Sequence, residues 1–210
     1  MTISNRGDMS AFSEQFPHED FFMQQARKNG AEVGAPDPTT GVGGLINFVA
    51  GLISAKSIVE IGTGSGVSGL WIFNGSPEDS TLTSIDFERE HSASAREIFE
   101  EAGISTQRFR LITGNIIEVV GKLADSNYDL MIVRSPKDMV DVVQESFRLL
   151  KAEGVLLIDN ALDGGKVADP TQRDFETIAR RDSIKAIRED SRWSSTLVPI
   201  GGGALIARKI

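Results

Sequence analysis

A glycine-rich turn near residue 60 is the first feature of this sequence that could do chemistry. An apolar run leads into it, and it reads Val59-Glu60-Ile61-Gly62-Thr63-Gly64-Ser65-Gly66. Glycine lets a backbone turn sharply and lets a ligand come close. The helix expected from Val67 would begin with free N–H groups and a positive dipole end, which suit a phosphate or carboxylate. The segment therefore predicts a ligand site.

An acidic residue at the end of the next strand indicates what kind of ligand. Asp86 follows Gly66 by 20 residues and closes the apolar run Thr81–Ile85. An acid in that place suits hydrogen bonds to ribose hydroxyls. The turn and Asp86 together predict a nucleoside-bearing cofactor. The alternative is a tight strand–helix turn in which Asp86 only caps a helix.

The elements that would position these residues alternate between strands and helices. Such alternation predicts an α/β fold with a mostly parallel sheet and helices on both faces. Ligands of such sheets bind at the carboxyl ends of the strands. A closing hairpin with a Gly201-Gly202-Gly203 turn should add an antiparallel edge. The strands are predicted at 57–61, 81–85, 109–112, 129–133, 155–158, 195–200 and 204–209.

The domain organisation is expected to be simple. Residues 1–30 are predicted to form an irregular N-terminal arm with one short helix, and residues 31–210 the main domain. Asp169-Pro170 has the chemistry of a helix N-cap followed by a proline in the first turn. That pair predicts a helix over about 170–180, with another near 183–188.

Composition limits the partners. The chain of 210 residues has 22 basic and 30 acidic side chains, a net charge of −8, and no cysteine. Nucleic acid and anionic membranes both need a basic face, so neither is expected as a partner. Disulfides, thiolate metal sites and cysteine nucleophiles are excluded. Neither a signal peptide nor a membrane span is evident, so we expect a cytoplasmic protein with a small-molecule partner.

The spacing of the glycines separates two cofactor classes. Dinucleotide-binding turns have the pattern G-x-G-x-x-G, whereas this chain has G-x-G-x-G preceded by Glu60. An NAD-linked oxidoreductase is therefore the weaker alternative. The sequence here resembles the class I S-adenosylmethionine-dependent methyltransferases, whose first motif is E/D-x-G-x-G-x-G. It is most similar to the small bacterial O-methyltransferases that are related to catechol and caffeoyl-CoA O-methyltransferases.

Further segments carry the same resemblance, which covers about residues 33–210. They are Pro38-Thr-Thr-Gly41, Gly66-Val67-Ser68, the string from Asp159-Asn160 to Asp169-Pro170, and Pro199-Ile-Gly201-Gly-Gly203 before a basic strand. The string after Asp159 is the most specific, because few folds demand it. The resemblance implies a Rossmann-like fold with a seven-stranded sheet, and relatives are often homodimers.

The resemblance also implies roles for single residues. Glu60, Gly62 and Ser68 would contact the methionine part of the cofactor, and Thr63 and Gly64 would complete the turn. Asp86 would bind the ribose. The adenine pocket and the segment that closes over the cofactor would come from Phe87, Gly114, Asn115, Ile116 and Val42. His91, at the start of the helix after Asp86, is expected on the surface.

The sequence departs from the family after the fourth strand. Metal-dependent relatives have D-x-D/H-x-K there, and the first Asp binds Mg²⁺ or a similar cation together with the later Asp-Asn pair. Here Arg134 falls at that Asp, and Lys137 falls at the catalytic Lys. A guanidinium carries no free lone pair and cannot bind a cation. Arg134, Lys137 and Asp159 are the catalytic candidates, with Lys137 as the base.

Three interpretations of Arg134 remain open from the sequence. Arg134 could replace the metal and pair with Asp159. A cation could instead bind Asp159 and Asn160 with a displaced ligand such as Asp138 or Asp163. The site could also be degenerate, leaving a protein that binds S-adenosylmethionine without catalysis. We predict an S-adenosylmethionine-dependent O-methyltransferase that acts on a small phenol- or catechol-like molecule, and that needs no metal if Arg134 replaces the metal-ligand Asp. The non-catalytic binding protein is the alternative.

Overall fold

The computed structural model describes residues 3–135 and 138–210. Within them, the helices are α1 Ile3–Gln15, α2 Phe21–Val33, α3 Thr40–Leu52, α4 Val67–Gly75, α5 Arg89–Glu101, α6 Ile116–Val120, α7 Met139–Leu149 and α8 Phe175–Glu189. The strands are β1 Ser57–Ile61, β2 Thr81–Asp86, β3 Phe109–Thr113, β4 Tyr128–Val133, β5 Leu150–Ile158, β6 Trp193–Val198 and β7 Ala204–Lys209. A short 3₁₀ segment covers Asp163–Ala168.

The strands form one seven-stranded sheet in the order β3-β2-β1-β4-β5-β7-β6. β1 to β5 are parallel to one another, and β7 runs antiparallel to both β5 and β6. This confirms the predicted α/β class with its antiparallel closing hairpin. The chain order reverses direction between β1 and β4, and in open α/β sheets ligands bind outside the strand ends at such a point. The predicted site residues lie there.

Helices cover both faces of the sheet. Alternate residues of a strand point to opposite sides, so both sets of side chains are buried. In β1, Ile58 packs into the core layer formed with α2 to α5, whereas Val59 and Ile61 pack into the layer with α6 to α8. Glu60 is on the same face as Ile58 and is fully buried. The central strand therefore brings a carboxyl group into the interior directly before the glycine turn.

The ends of the chain differ from the expectation. Residues 3–15 form helix α1, where the sequence predicts an irregular arm. The helix expected after Asp169-Pro170 is wrong in its start: α8 begins at Phe175 and continues as one helix to Glu189. Asp169 accepts hydrogen bonds from the backbone N–H and the hydroxyl of Thr171 and so closes a turn. Asp174 is the actual cap, since its carboxylate accepts the N–H of Thr177.

Candidate active site

The turn after β1 requires its glycines. Gly62, Gly64 and Gly66 all have positive φ angles, of 97°, 56° and 95°. L-residues with a Cβ rarely adopt this region. At Gly66 a Cβ would also lie about 3.0 Å from Ile98 and Phe99 of α5. Glycine therefore serves both the backbone conformation and the close packing that places the start of α4.

Asp86 lies at the carboxyl end of β2 and is held by three groups. The N–H of Gly64 donates to Oδ2 at 3.1 Å, and the N–H of Glu88 donates to Oδ1 at 2.9 Å. His91 Nδ1 lies 3.3 Å from the same Oδ2. Asp86 is 3% exposed. Its carboxylate is fixed in the place where the sequence predicts a ribose ligand.

His91 is not the surface residue that the sequence predicts. It is 8% exposed and forms a buried pair with Asp86. The position is five residues after Asp86, so the first turns of α5 bring the ring back over the strand end. Helical spacing alone cannot show this, because it depends on how α5 packs against the sheet.

Arg134 leaves the end of β4 and reaches back over the glycine turn. Its Nη1 donates to the carbonyl oxygen of Gly62 and to Oγ of Ser68, both at 3.1 Å. Nη2 donates to the carbonyl oxygen of Pro36. Nε lies 3.7 Å from Oδ2 of Asp159, so the two side chains form a buried ion pair. The guanidinium thus binds Gly62 and Ser68, which the resemblance assigns to the methionine part of the cofactor.

Carboxyl groups surround this guanidinium. Burial raises the pKa of Glu60, which receives a hydrogen bond from Ser84, and the charge of Arg134 opposes that rise. Burial likewise raises the pKa of Asp159, again against the charge of Arg134. The pKa of Asp37 is raised for the same reason, although Oγ of Ser65 donates to its carboxylate. The positive charge of Arg134 therefore stabilises the ionised form of all three of these partly or fully buried carboxyl groups.

The turn after β5 is fixed by the closing hairpin. Asn160 has a positive φ of 51°, and its amide lies against Gly202, where a Cβ would be 1.8 Å from Oδ1. The N–H of Ala161 donates to the carbonyl oxygen of Gly203 at 2.7 Å. The glycines of the hairpin thus allow the turn that carries Asp159 and Asn160 to pack closely against the hairpin.

These side chains do not fit a divalent cation. Such a cation needs several oxygen ligands. Asp159 already pairs with Arg134 and accepts the N–H of Asn160 at 2.6 Å. Asp163 pairs with Lys166 at 3.1 Å. Among the residues that the structure describes, no group of three or more His, Cys, Asp or Glu side chains could hold a metal. Of the two displaced ligands that the sequence names, Asp163 is thus already paired with Lys166, and Asp138 lines the cavity described next.

A cavity of about 420 Å³ opens where these elements meet. Five of the predicted residues line it: Gly62, Gly64, Asp86, Phe87 and Arg134. The remaining walls are Pro36, His91, Ser135, Asp138, Phe175 and Glu176. Of these, the sequence names only Asp138, as a displaced metal ligand, and His91, as a surface residue. Phe175 is 86% exposed at the start of α8. A cavity of this size is in the range of small-molecule sites.

Other predicted residues do not line the cavity. Thr63 is buried, with its hydroxyl 2.7 Å from that of Ser84. Val42 and Ile116 are core residues. Gly114 donates its N–H to the carbonyl oxygen of Asp86 at 2.9 Å, and Asn115 caps α6 through the N–H of Glu118. Their roles in cofactor binding stay predictions, as does that of Lys137, which lies outside the described residues.

The N-terminal helix contributes a residue that the sequence does not single out. The Glu14 carboxylate accepts the N–H of Gly41 at the start of α3 and the N–H of Gly201 in the hairpin. Its negative charge acts on Asp159 by raising the pKa of that carboxyl. Helix α1 is therefore tied to the rim of the site.

The sheet order, the glycine turn after β1 and the buried acid after β2 define a Rossmann-like protein of the class that binds nucleoside cofactors. The O-methyltransferase family profile matches residues 13–210, and the chain belongs to this family. A probable O-methyltransferase of Mycobacterium tuberculosis strain H37Rv is 43% identical over 205 residues, which are 97% of this chain and 92% of that protein.

Solved structures agree with this assignment. A Corynebacterium glutamicum protein is 31% identical with a TM-score of 0.89, covering 98% of this chain and 97% of its own. The O-methyltransferase TomG of Streptomyces achromogenes, solved with S-adenosylmethionine and involved in tomaymycin synthesis, is 25% identical with a TM-score of 0.86. That match covers 100% of this chain and 99% of TomG. The protein is thus an S-adenosylmethionine-dependent O-methyltransferase, and the predicted family, cofactor and enzyme class are confirmed.

No helix within the described residues is both long and apolar enough to cross a membrane.

Proposed function

We propose that the protein methylates a hydroxyl group of a small phenol- or catechol-like molecule and needs no divalent cation to do so. One observation carries this proposal. The guanidinium of Arg134, which the resemblance puts at the position of a metal-ligand acid, lies beside Asp159. The fixed positive charge that a cation would supply is already present in the chain.

The chemistry asks little of the protein. When bound, S-adenosylmethionine supplies a methyl group on a positively charged sulfur. An acceptor oxygen held near Asp159 would take this methyl group as its proton leaves, and the bonding pair of the carbon–sulfur bond would stay on sulfur. The protein must therefore hold the two partners in line and remove the hydroxyl proton.

The residues of the cavity divide these tasks. Asp86 orients the ribose, and Phe87 and Phe175 offer apolar surface for flat rings. We assign the acceptor oxygen to the side of the cavity at Asp159, where the guanidinium of Arg134 can reach it, and a guanidinium near that oxygen favours its phenolate form. Lys137 stays the predicted acceptor of the proton.

A metal-depletion assay tests the proposal. The enzyme is dialysed against EDTA and given labelled S-adenosylmethionine with a panel of phenols and catechols, with and without Mg²⁺. We expect transfer to at least one acceptor at a rate that Mg²⁺ changes less than about two-fold, because Arg134 supplies the charge. Arg134→Asp, which restores the acid, should lose activity in EDTA.

Arg96→Met is the control, since Arg96 is a half-exposed arginine that does not line the cavity and whose guanidinium contacts Glu100, at 3.9 Å, and the ring of Phe109, at 5.5 Å. It should behave as the wild type does. Wild-type activity that vanishes in EDTA and returns with Mg²⁺ would contradict metal independence. Binding of S-adenosylhomocysteine without transfer to any of these acceptors would contradict the proposed substrate class.

We further propose a cytoplasmic homodimer. Helix α1 packs against α3. Large apolar side chains on the two helices and just after α1 are in solvent: Phe12 is 70% exposed, Phe16 74%, Phe48 63% and Leu52 70%. Exposed apolar patches of this kind mark interaction surfaces. Light scattering should give twice the chain mass of 22.7 kDa, and a mass of one chain would contradict the dimer.

A further inference from the structure

The groups under the Arg134 guanidinium form a site for a cation with N–H donors. The carbonyl oxygen of Gly62 and Oγ of Ser68 accept from Nη1 at 3.1 Å each. The Ser68 hydroxyl is also hydrogen-bonded to the carboxyl group of Glu60, which is fully buried. Acceptors above a buried carboxyl group favour a cation that can donate hydrogen bonds.

The cofactor carries one such cation, its α-ammonium group. The sulfonium is also positive but has no N–H to donate. Asp86 offers the carboxylate for the ribose, and Gly64, which donates to Asp86, is two residues along the turn from Gly62. A cofactor held by its ribose at Asp86 would therefore extend its amino-acid end over Gly62 and Ser68.

We infer that Arg134 occupies the place of the cofactor's ammonium group in the cofactor-free protein and must leave it when the cofactor binds. Arg134 is thus a residue that determines affinity for the amino-acid end of the cofactor. The inference rests on the cofactor position given under the proposed function. Asp159, whose Oδ2 is 3.7 Å from Nε, offers the displaced guanidinium a partner on the acceptor side of the cavity.

The contacts of Arg134 explain why the exchange has a consequence that can be measured. Leaving requires Arg134 to give up hydrogen bonds to Gly62, Ser68 and the carbonyl oxygen of Pro36. The ammonium replaces the hydrogen bonds to Gly62 and Ser68, but not the one to Pro36. Without the guanidinium, the same acceptors and the Glu60 carboxyl group would meet the ammonium with no competitor.

Two ligands that differ only at the amino-acid end test this inference. S-adenosylhomocysteine has that end, and 5′-methylthioadenosine has the same adenosine and thioether without it. Calorimetry would compare their affinities for the wild type, Arg134→Met, Arg134→Gln and the control Arg96→Met. Thermal unfolding would establish that each variant is folded, and two replacements guard against failure of one.

We expect the Arg134 variants to bind S-adenosylhomocysteine about ten-fold more tightly, the effect of removing one competing charged donor. Affinity for 5′-methylthioadenosine should change less than about two-fold, because that ligand does not reach the exchanged groups. Millimolar methylguanidinium should reverse the gain in Arg134→Met by refilling the vacated site. Arg96→Met should match the wild type for both ligands.

Equal or weaker binding of S-adenosylhomocysteine by a folded Arg134 variant would overturn the inference, as would a parallel gain for 5′-methylthioadenosine. These outcomes are independent of the activity assay. Methyl transfer that depends on Mg²⁺, together with the expected affinities, would contradict the metal independence of the proposed function and still support the inference about Arg134. Metal-independent transfer with unchanged affinities would do the reverse.

Discussion

The two ends of the cavity are built on opposite principles. At the proposed ribose end, the Asp86 carboxylate is held by N–H donors and lines the cavity. At the proposed amino-acid end, hydrogen-bond acceptors contact the chain's own cation, Arg134. One end is ready for the cofactor, whereas the other is filled by a side chain. A family motif can therefore be intact in sequence while part of the site it forms is occupied.

The largest effect that would test this contrast is expected at the ribose end. Asp86→Ala should weaken binding of S-adenosylhomocysteine and of 5′-methylthioadenosine alike, by about 2 kcal/mol or roughly 30-fold, since both ligands lose charged hydrogen bonds to the ribose. Calorimetry measures both. Asp79→Ala is a suitable control, because Asp79 is exposed and pairs with Lys56 at 2.6 Å away from the cavity. Unchanged affinity of Asp86→Ala would remove the ribose assignment.

A smaller effect is expected for His91, which we predict to hold the carboxylate of Asp86 in place through Nδ1. The amide nitrogen of Asn lies close to the position of Nδ1, whereas that of Gln lies near Nε2. His91→Asn should keep most of the affinity, and His91→Gln should lose about 1 kcal/mol, roughly five-fold.

The KM for S-adenosylmethionine should rise in the Gln variant with little change in kcat, since His91 acts on binding. Equal losses in the Asn and Gln variants would indicate that the ring fills space and that its hydrogen bond is unimportant.

The smallest expected effect concerns the pH dependence of stability. Burial raises the pKa of Glu60 above its ordinary value of 4.5. The folded protein then binds a proton that the unfolded chain releases, so this group favours folding at low pH and loses that contribution as pH rises through the raised pKa. Glu60→Gln cannot titrate. In urea unfolding without cofactor, the free energy of unfolding of Glu60→Gln relative to that of the wild type should increase from pH 4 to pH 7. A difference in free energy that stays constant with pH would contradict the raised pKa of Glu60.

The sheet was predictable because its signals are local. Apolar runs closed by Gly62, Asp86 and Asp159 marked three strand ends, and the ends of parallel strands meet at one edge. The start of α8 was not predictable, because Asp169 and Asp174 have equal capping chemistry and the contacts of Thr171 and Thr177 decide between them. Helix α1 shows no apolar periodicity.

The same division separates the site residues. The turn and Asp86 follow from spacing along the chain, and the departure at Arg134 is visible beside the family pattern. The sequence could not show the orientation of the Arg134 side chain, which contacts Gly62 as well as Asp159. His91 was predicted on the surface and Asp37 was not singled out, because only the packing of α5 and of the segment before α3 brings them to the turn.

A crystal structure grown with S-adenosylhomocysteine and Mg²⁺ would test the central claim most directly. We expect the ligand's ammonium on the carbonyl oxygen of Gly62 and Oγ of Ser68, with the Arg134 guanidinium moved to Asp159 and no cation between Asp159 and Asn160. A guanidinium still bound to Gly62 and Ser68 beside the ligand, or a Mg²⁺ ion on Asp159, would contradict the account.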